Sequence, residues 1–151
     1  MSVDRTFSIS LAERKGEKLS AVSIIGCFLE FGWNLYSSQG KIYYTDVGDD
    51  DYFNYVEKRI TEEEYFNIVE QKEAHGEIIS FALHFMEKSD RFRMIILITP
   101  KYEIILSPDD ETRKMLIPNL NILDVNWYFN KILPPLLKSD FIIGSFSYSQ
   151  Y

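Results

Sequence analysis

The chain has 151 residues, a usual size for one domain, and 46% of them are apolar, which is enough to build a continuous hydrophobic core. Its 23 acidic and 16 basic residues give a net charge of −7, which opposes direct binding to a nucleic acid. The composition therefore predicts one folded acidic domain over residues 1–151 and argues against long disordered segments.

The sequence also argues against a membrane or secreted protein. A membrane helix needs roughly 18 to 20 uninterrupted apolar residues, and the longest apolar run, residues 21–31, contains Ser23 and Glu30. The N-terminus lacks the apolar core of a signal peptide. Cys27 is the only cysteine, so no intramolecular disulfide can form, and its apolar neighbours predict a small buried side chain. We expect a cytoplasmic protein with no membrane partner.

Residues 18–31 predict the first helix, because apolar side chains recur at helical spacing around a face broad enough to imply deep burial. Ser10 could cap an earlier start, although Gly16 would weaken a continuous helix at that point. Residues 41–46 then predict a strand from their β-branched and aromatic side chains. Residues 52–60 predict an extended segment or a loop, with no pattern that decides between the two.

The second helix has the clearest local signal. Thr61 stands three residues before Glu64, which is the spacing of a capping box, and Gly76 can end the helix. These residues predict a helix over residues 62–75. Its apolar stripe is narrow and its opposite side is acidic, with Glu73 among the acids, so we expect the helix to lie on the surface.

A β-meander follows in residues 77–85, 92–99 and 102–106, which turn-forming residues separate. Antiparallel pairing is expected for strands joined by such short turns. In the first strand His84 alternates with the apolar core positions, so its side chain should face away from the core. The second strand is apolar on both faces, which predicts a central position covered by helices.

The C-terminal third contains two helix signals and one strand signal. Residues 107–110 combine a serine cap, a proline and early acids, which predicts a short helix to about Met115. Asp124 can cap a further helix that the proline pair at residues 134–135 ends or kinks. Residues 141–148 predict the last strand. Together the elements predict a single α+β domain in which an antiparallel meander packs against two to four helices.

The sequence carries no catalytic motif. It has only two histidines: His75, at a helix end where it can interact with exposed carbonyls, and His84, in a strand. Neither forms a metal-ligand spacing with Cys27. No phosphate-binding glycine loop and no nucleophile elbow can be written from the sequence. We therefore predict no catalytic residue, no metal site and no cofactor.

Four aspartates lie close together after the first strand: Asp46, Asp49, Asp50 and Asp51. Carboxylates of this kind can bind calcium or magnesium, but their spacing does not match an EF-hand loop. A solvated turn and a partner-binding patch are the two other interpretations.

The partner-binding interpretation gains support from residues 46–64, which we call the acidic segment. It holds eight acidic and two basic residues, a net charge of −6 out of the total −7. Aromatic residues are interleaved with the acids, a combination that suits an interface in which rings anchor a basic partner and carboxylates attract it. The predicted partner-binding residues are Asp46, Asp49, Asp50, Asp51, Tyr52, Tyr55, Glu57, Glu62 and Glu63.

In its overall character, with an acidic and tyrosine-rich segment from Tyr43 to Tyr65, the chain resembles the small immunity proteins of bacterial polymorphic and contact-dependent toxin systems. The resemblance implies an α+β domain without catalytic residues that neutralises a cognate toxin by stoichiometric binding. Such a toxin is often a nuclease with a basic groove, which an acidic surface would mask.

Two other functions remain open at this point. One is a small-ligand domain or an enzyme with a pocket between sheet and helices, using Asp46, Glu77 or His84. The other is an adaptor or structural subunit, for which the acidic surface would serve only solubility.

Overall fold

The structure is a computed structural model that describes residues 5–14, 16, 18–109, 112, 114–117 and 122–150. It confirms the α+β fold class. In chain order the elements are β1 (Arg5–Arg14), α1 (Ala21–Glu30), β2 (Trp33–Asn34), β3 (Ile42–Tyr44), β4 (Val56–Lys58), α2 (Glu62–Ala74), β5 (Ile79–Glu87), β6 (Asp90–Ile98), β7 (Glu103–Pro108), β8 (Met115–Ile117), β9 (Ile122–Leu123), α3 (Val125–Lys138) and β10 (Phe141–Gln150).

Eight of the strands form one antiparallel sheet. Its order is β10-β1-β7-β6-β5-β3-β4, and β2 pairs with β5 beside β3. The predicted meander is β5, β6 and β7, and the predicted last strand is β10. Strands β8 and β9 form a separate two-stranded antiparallel sheet. The sheet therefore has β10 at one edge and β4 at the other.

The three helices pack on the same face of the sheet. On α2 the ring of Tyr65 lies 6.0 Å from that of Phe81, and on α3 the ring of Tyr128 lies 5.6 Å from that of Phe7. Helix α1 contacts both other helices and contributes Ile24, Ile25 and Phe28 to the same hydrophobic core. The molecule thus has two layers, with the helices covering what we call the inner face of the sheet.

The other side of the sheet, its outer face, corrects one expectation. Strand β6 is central, as predicted, but its outward-facing Ile95 and Leu97 are only half-buried, and no helix among the described residues covers them. Part of this face is covered instead by aromatic side chains, since the Tyr55 hydroxyl lies 2.6 Å from Ser80 Oγ on β5. His84, on the same face, is buried although it faces away from the core.

The first two helices follow their local signals. Ser20 caps α1 by accepting a hydrogen bond from the Ser23 amide, so this helix begins within three residues of its predicted start. In α2 the Glu64 amide donates to Thr61 Oγ1 at 3.0 Å and the Thr61 amide donates to Glu64 Oε1 at 3.4 Å, which confirms the capping box. Glu73, however, is half-buried, because its carboxylate lies against the N-terminus of α1 and accepts from the Ala21 amide at 2.7 Å.

Two predictions near turns are wrong. Ser10, considered as a helix cap, lies inside β1, where it pairs with Glu103 of β7 and Ser145 of β10. Ser107 and Pro108 do not start a helix but extend β7, because both pair with β6. Serine and proline occur at helix starts, but they also occur in and at the ends of strands, so neither residue type decides between the two structures.

Helix α3 continues through its two prolines, so of the two predicted outcomes, an end or a kink, the end at these prolines is wrong. A proline at position 135 has no amide hydrogen for the carbonyl of Lys131, four residues earlier. The indole Nε1 of Trp33 donates to that carbonyl instead, at 3.0 Å. The freed backbone acceptor is therefore satisfied from β2, and the helix extends to Lys138.

Candidate functional site

The acidic segment lies at one edge of the sheet. Its loop connects β3 to β4, β4 is the outermost strand, and the N-terminus of α2 follows directly. Strand β4 has only three residues and carries exposed Glu57 and Lys58, features that discourage pairing with a strand of another molecule. The backbone of this edge is thus protected, and its charged side chains are available.

A buried lysine holds the loop in place. Lys72 of α2 has a side chain only 1% exposed, and its Nζ donates to the carbonyl oxygens of Asp46 at 2.8 Å and Asp49 at 2.7 Å. Glu77 Oε1 accepts from the same Nζ at 3.2 Å and from the Gly48 amide at 2.8 Å. All three hydrogens of the ammonium group therefore have acceptors. The sequence shows only that Lys72 shares the helix face of Tyr65 and Val69, at the spacing of a buried stripe, and it does not show which groups accept from the ammonium.

Two of the predicted partner-binding carboxylates are used inside the loop. Asp46 Oδ1 accepts from the Val47 amide at 2.8 Å, and its Oδ2 lies 3.7 Å from Lys58 Nζ. Asp49 accepts from the backbone amides of Phe53 and Asn54. Each of these carboxylates thus accepts from backbone amides one to five residues further along the chain. Both residues therefore support the loop's conformation.

The remaining carboxylates of the predicted interface have no hydrogen bond or ion pair within the described part of the chain. Beside them, the side chain of Tyr52 is 81% exposed. We call this set the acidic edge: Asp50, Asp51, Tyr52, Glu57, Glu62 and Glu63. Asp50 is half-buried and the others are exposed. The structure thus divides the predicted residues into a supporting set and an exposed set.

Tyr55, also predicted as a partner contact, is half-buried in an aromatic stack on the outer face. Its ring is parallel to that of Tyr43, with the two centroids 4.5 Å apart. The Arg93 guanidinium lies over the Tyr43 ring, 4.4 Å from its centroid. Burial, more than the nearby charges, raises the pKa of the Tyr55 hydroxyl. The stack joins the acidic segment to strand β6.

A pocket of about 180 Å³ opens on the outer face beside this stack. His84 lines it and is 4% exposed, with no hydrogen-bond partner for Nδ1 or Nε2 within the described residues. Arg91 and Arg93 of β6 also line it, together with Glu57. The pKa of His84 is lowered to about 4, first because burial disfavours the charged imidazolium and then because both arginines repel it.

The enzyme interpretation named Asp46, Glu77 and His84, and the structure does not bring these three together. Asp46 and Glu77 meet through Lys72, whereas His84 lies seven residues further along the chain from Glu77, roughly 20 Å at the rise of a strand. The cationic residues beside His84 are the two arginines, which the sequence analysis did not single out. Hairpin pairing could have found Arg93, because it stands directly opposite His84 across a tight turn.

Metal-binding side chains do not cluster in the described ranges, where no group of three or more histidines, cysteines, aspartates or glutamates is positioned for an ion. Cys27 is buried, as predicted, and its thiol donates to the Ile24 carbonyl at 2.9 Å. His75 is exposed at the C-terminal cap of α2, with Nδ1 3.6 Å from Glu77 Oε2.

None of the helices among the described residues is both long and apolar enough to cross a membrane. Comparisons with protein-family models, with curated proteins and with solved structures gave no match for this chain. Functional inference therefore depends on the geometry and chemistry of the chain's own residues.

Proposed function

We propose that this is a non-catalytic protein-binding domain that recognises a basic partner through the acidic edge. The observation that supports it most is the Lys72 contact set, which fixes the loop before any partner arrives. A loop ordered in advance loses less conformational entropy on binding, so more of the interaction energy remains as affinity.

The exposed side chains supply the two parts of such an interface. The five carboxylates of the acidic edge create a negative field that speeds association with a basic surface. Tyr52 supplies a large ring with a polar tip, the type of side chain that contributes strongly to binding once a partner covers it. The acidic edge thus contains both carboxylates that attract a basic partner and an aromatic ring that can anchor it.

In its finer form, the proposal is that the partner is a bacterial toxin with a basic active site, as the resemblance to immunity proteins implies. An acidic edge placed over a phosphate-binding groove would compete with a nucleic acid for the same cations. The toxin's cations would then pair with the carboxylates of Asp50, Asp51 and Glu57.

The test is co-expression with the product of the adjacent upstream gene, followed by measurement of the complex at low and moderate salt. The variant combines Asp50→Lys, Asp51→Lys and Glu57→Lys. Asp49 is left unchanged because its carboxylate supports the loop. The affinity should fall by at least about tenfold, since like charges would face each other across the interface.

A matched control combines Glu30→Lys, Asp90→Lys and Glu103→Lys, which changes the net charge equally at exposed positions away from the acidic edge. It should bind nearly as well as the unchanged protein. Tyr52→Ala should weaken the complex with little change in its salt dependence, because it removes an anchor and no charge. Equal binding by the charge-reversed variant and the control would contradict the proposed interface.

A further inference from the structure

The outer face contains a buried imidazole that the protein-binding function does not use. His84 is among the most buried polar residues of the chain, yet neither ring nitrogen has a partner within the described residues. Buried polar atoms in folded proteins nearly always have a hydrogen-bond partner, from the protein, from water or from a ligand. His84 lines a pocket large enough to contain one.

Two arginines flank this imidazole. Arg93 stands directly opposite His84 in the antiparallel register of β5 and β6, and Arg91 lies two residues before it on the same face. Arg91 Nη1 donates to the Tyr36 carbonyl at 3.2 Å, and Arg93 Nη1 lies 3.6 Å from Asp109 Oδ2. Each of these contacts uses one terminal nitrogen of a guanidinium group that carries five N–H donors. Both groups are held in place with donors to spare.

We propose that the pocket formed by His84, Arg91 and Arg93 binds a small oxyanion, a carboxylate or a phosphate group. Guanidinium groups match the geometry of both, and they bind them through charge-assisted hydrogen bonds. The imidazole donates a further hydrogen bond from one nitrogen. Ser37, Ser38, Tyr43 and Thr112, which all carry hydroxyl groups, also line the pocket.

The charge of the pocket favours an anion over other small ligands. Its lining has two arginines and one carboxylate, Glu57, in a chain whose net charge is −7. A cation would meet both guanidinium groups at short range. The volume of about 180 Å³ is several times that of one water molecule and suits a compact group. This inference goes beyond protein binding, because it concerns the outer face and a different ligand.

The two histidines provide a direct readout in the full chain. The imidazole resonances of His84 and His75 would be followed by NMR while sodium phosphate or sodium acetate is added, with sodium chloride keeping the ionic strength constant. The His84 signals should shift and saturate, whereas those of exposed His75 should not. The anion with the lower dissociation constant identifies the preferred chemistry, phosphate or carboxylate.

Two variants, one that removes a positive charge from the pocket and one that removes a negative charge, test whether the pocket binds the anion. Arg91→Gln should weaken binding about tenfold, since it removes a charge-assisted contact. Glu57→Gln should tighten binding roughly twofold or more, because it removes a negative charge from the pocket. Loss of folding cannot produce a gain in affinity, so this second variant separates the site from a general defect. Lys101→Gln, at an exposed turn between β6 and β7, is the matched control and should leave binding unchanged.

Three results would overturn the proposal. They are the absence of saturable shifts at His84 with either anion, equal shifts at both histidines, and equal affinity of Arg91→Gln and Lys101→Gln. The first two results would mean that the pocket holds only water or a nonspecific ion atmosphere, and the third would mean that Arg91 does not bind the anion.

Discussion

Lys72 and His84 are both buried polar side chains, and the two regions of the molecule accommodate them differently. Below the acidic edge, the ammonium group of Lys72 has three oxygen acceptors within 3.2 Å. On the outer face, the imidazole of His84 has no partner for either nitrogen among the described residues. The first region is complete without a ligand, so it can serve as a support. The second has polar capacity left over, so it can serve as a binding site.

The largest expected effect is at Lys72. Lys72→Met removes the donor that the carbonyls of half-buried Asp46 and Asp49 and the Glu77 carboxylate share. The free energy of unfolding should fall by about 3 kcal/mol, measured by urea denaturation. Lys101→Met, at an exposed site, is the matched control. If the free energy of unfolding fell by less than about 0.5 kcal/mol, water would be replacing the ammonium group at little cost. Lys72 would then not be a support for the loop, and its region would not differ from that of His84 in this respect.

The second effect is a pH dependence that comes from His84. The groups facing its ring are Arg91 and Arg93 from β6, Glu57 from β4 and Tyr43 from β3. Because the folded protein lowers the His84 pKa to about 4, the unfolded chain binds a proton at a higher pH than the folded chain does. The free energy of unfolding is therefore highest above about pH 6.5, where the imidazole is neutral in both states. It falls as the pH drops from there toward about 4, because only the unfolded chain takes up the proton readily.

Between pH 7 and pH 5 this loss should amount to roughly 1 to 2 kcal/mol, allowing for the open mouth of the pocket. His84→Phe should remove this dependence and should be near neutral at pH 7.5, because it replaces an unpartnered polar ring by an apolar one. His75→Phe, at an exposed position, should retain the dependence. Unfolding curves at several pH values would measure it, and equal slopes for the two variants would exclude His84 as the source.

The smallest effect separates the supporting acids from the acidic edge. Asp49→Asn should cost about 1 kcal/mol of unfolding free energy, because the carboxylate accepts from two backbone amides. Asp50→Asn removes the neighbouring carboxylate, which has no such contact, and should change stability by less than about 0.5 kcal/mol. Thermal melts of the two variants make the comparison. Equal costs would mean that the loop is not held by Asp49.

The sequence predicted the elements whose signals are local. The capping box of Thr61 and Glu64 and the alternating strands of the meander depend on neighbours in the chain, and both are present in the structure. Ser10 and Ser107 were misread because their local capping signals compete with pairing to distant strands, which a single sequence does not show.

The candidate sites were predicted less completely for a related reason. The exposed acids could be located because they cluster in residues 46–64 of the sequence. The role of Lys72 depends on carbonyl groups 26 and 23 residues away, and no side-chain pattern encodes a backbone acceptor. The pairing of His84 with Arg93 was within reach, because the turn between β5 and β6 fixes which residues stand opposite each other.

The hydrogen bond from Trp33 to the Lys131 carbonyl has a consequence for folding order. It joins residues 98 positions apart, and it compensates for the amide that Pro135 lacks. A peptide containing only α3 would lose this donor, so its helix should fray near the prolines. We therefore expect the last turn of α3 to become stable only after β2 has docked against it, late in folding.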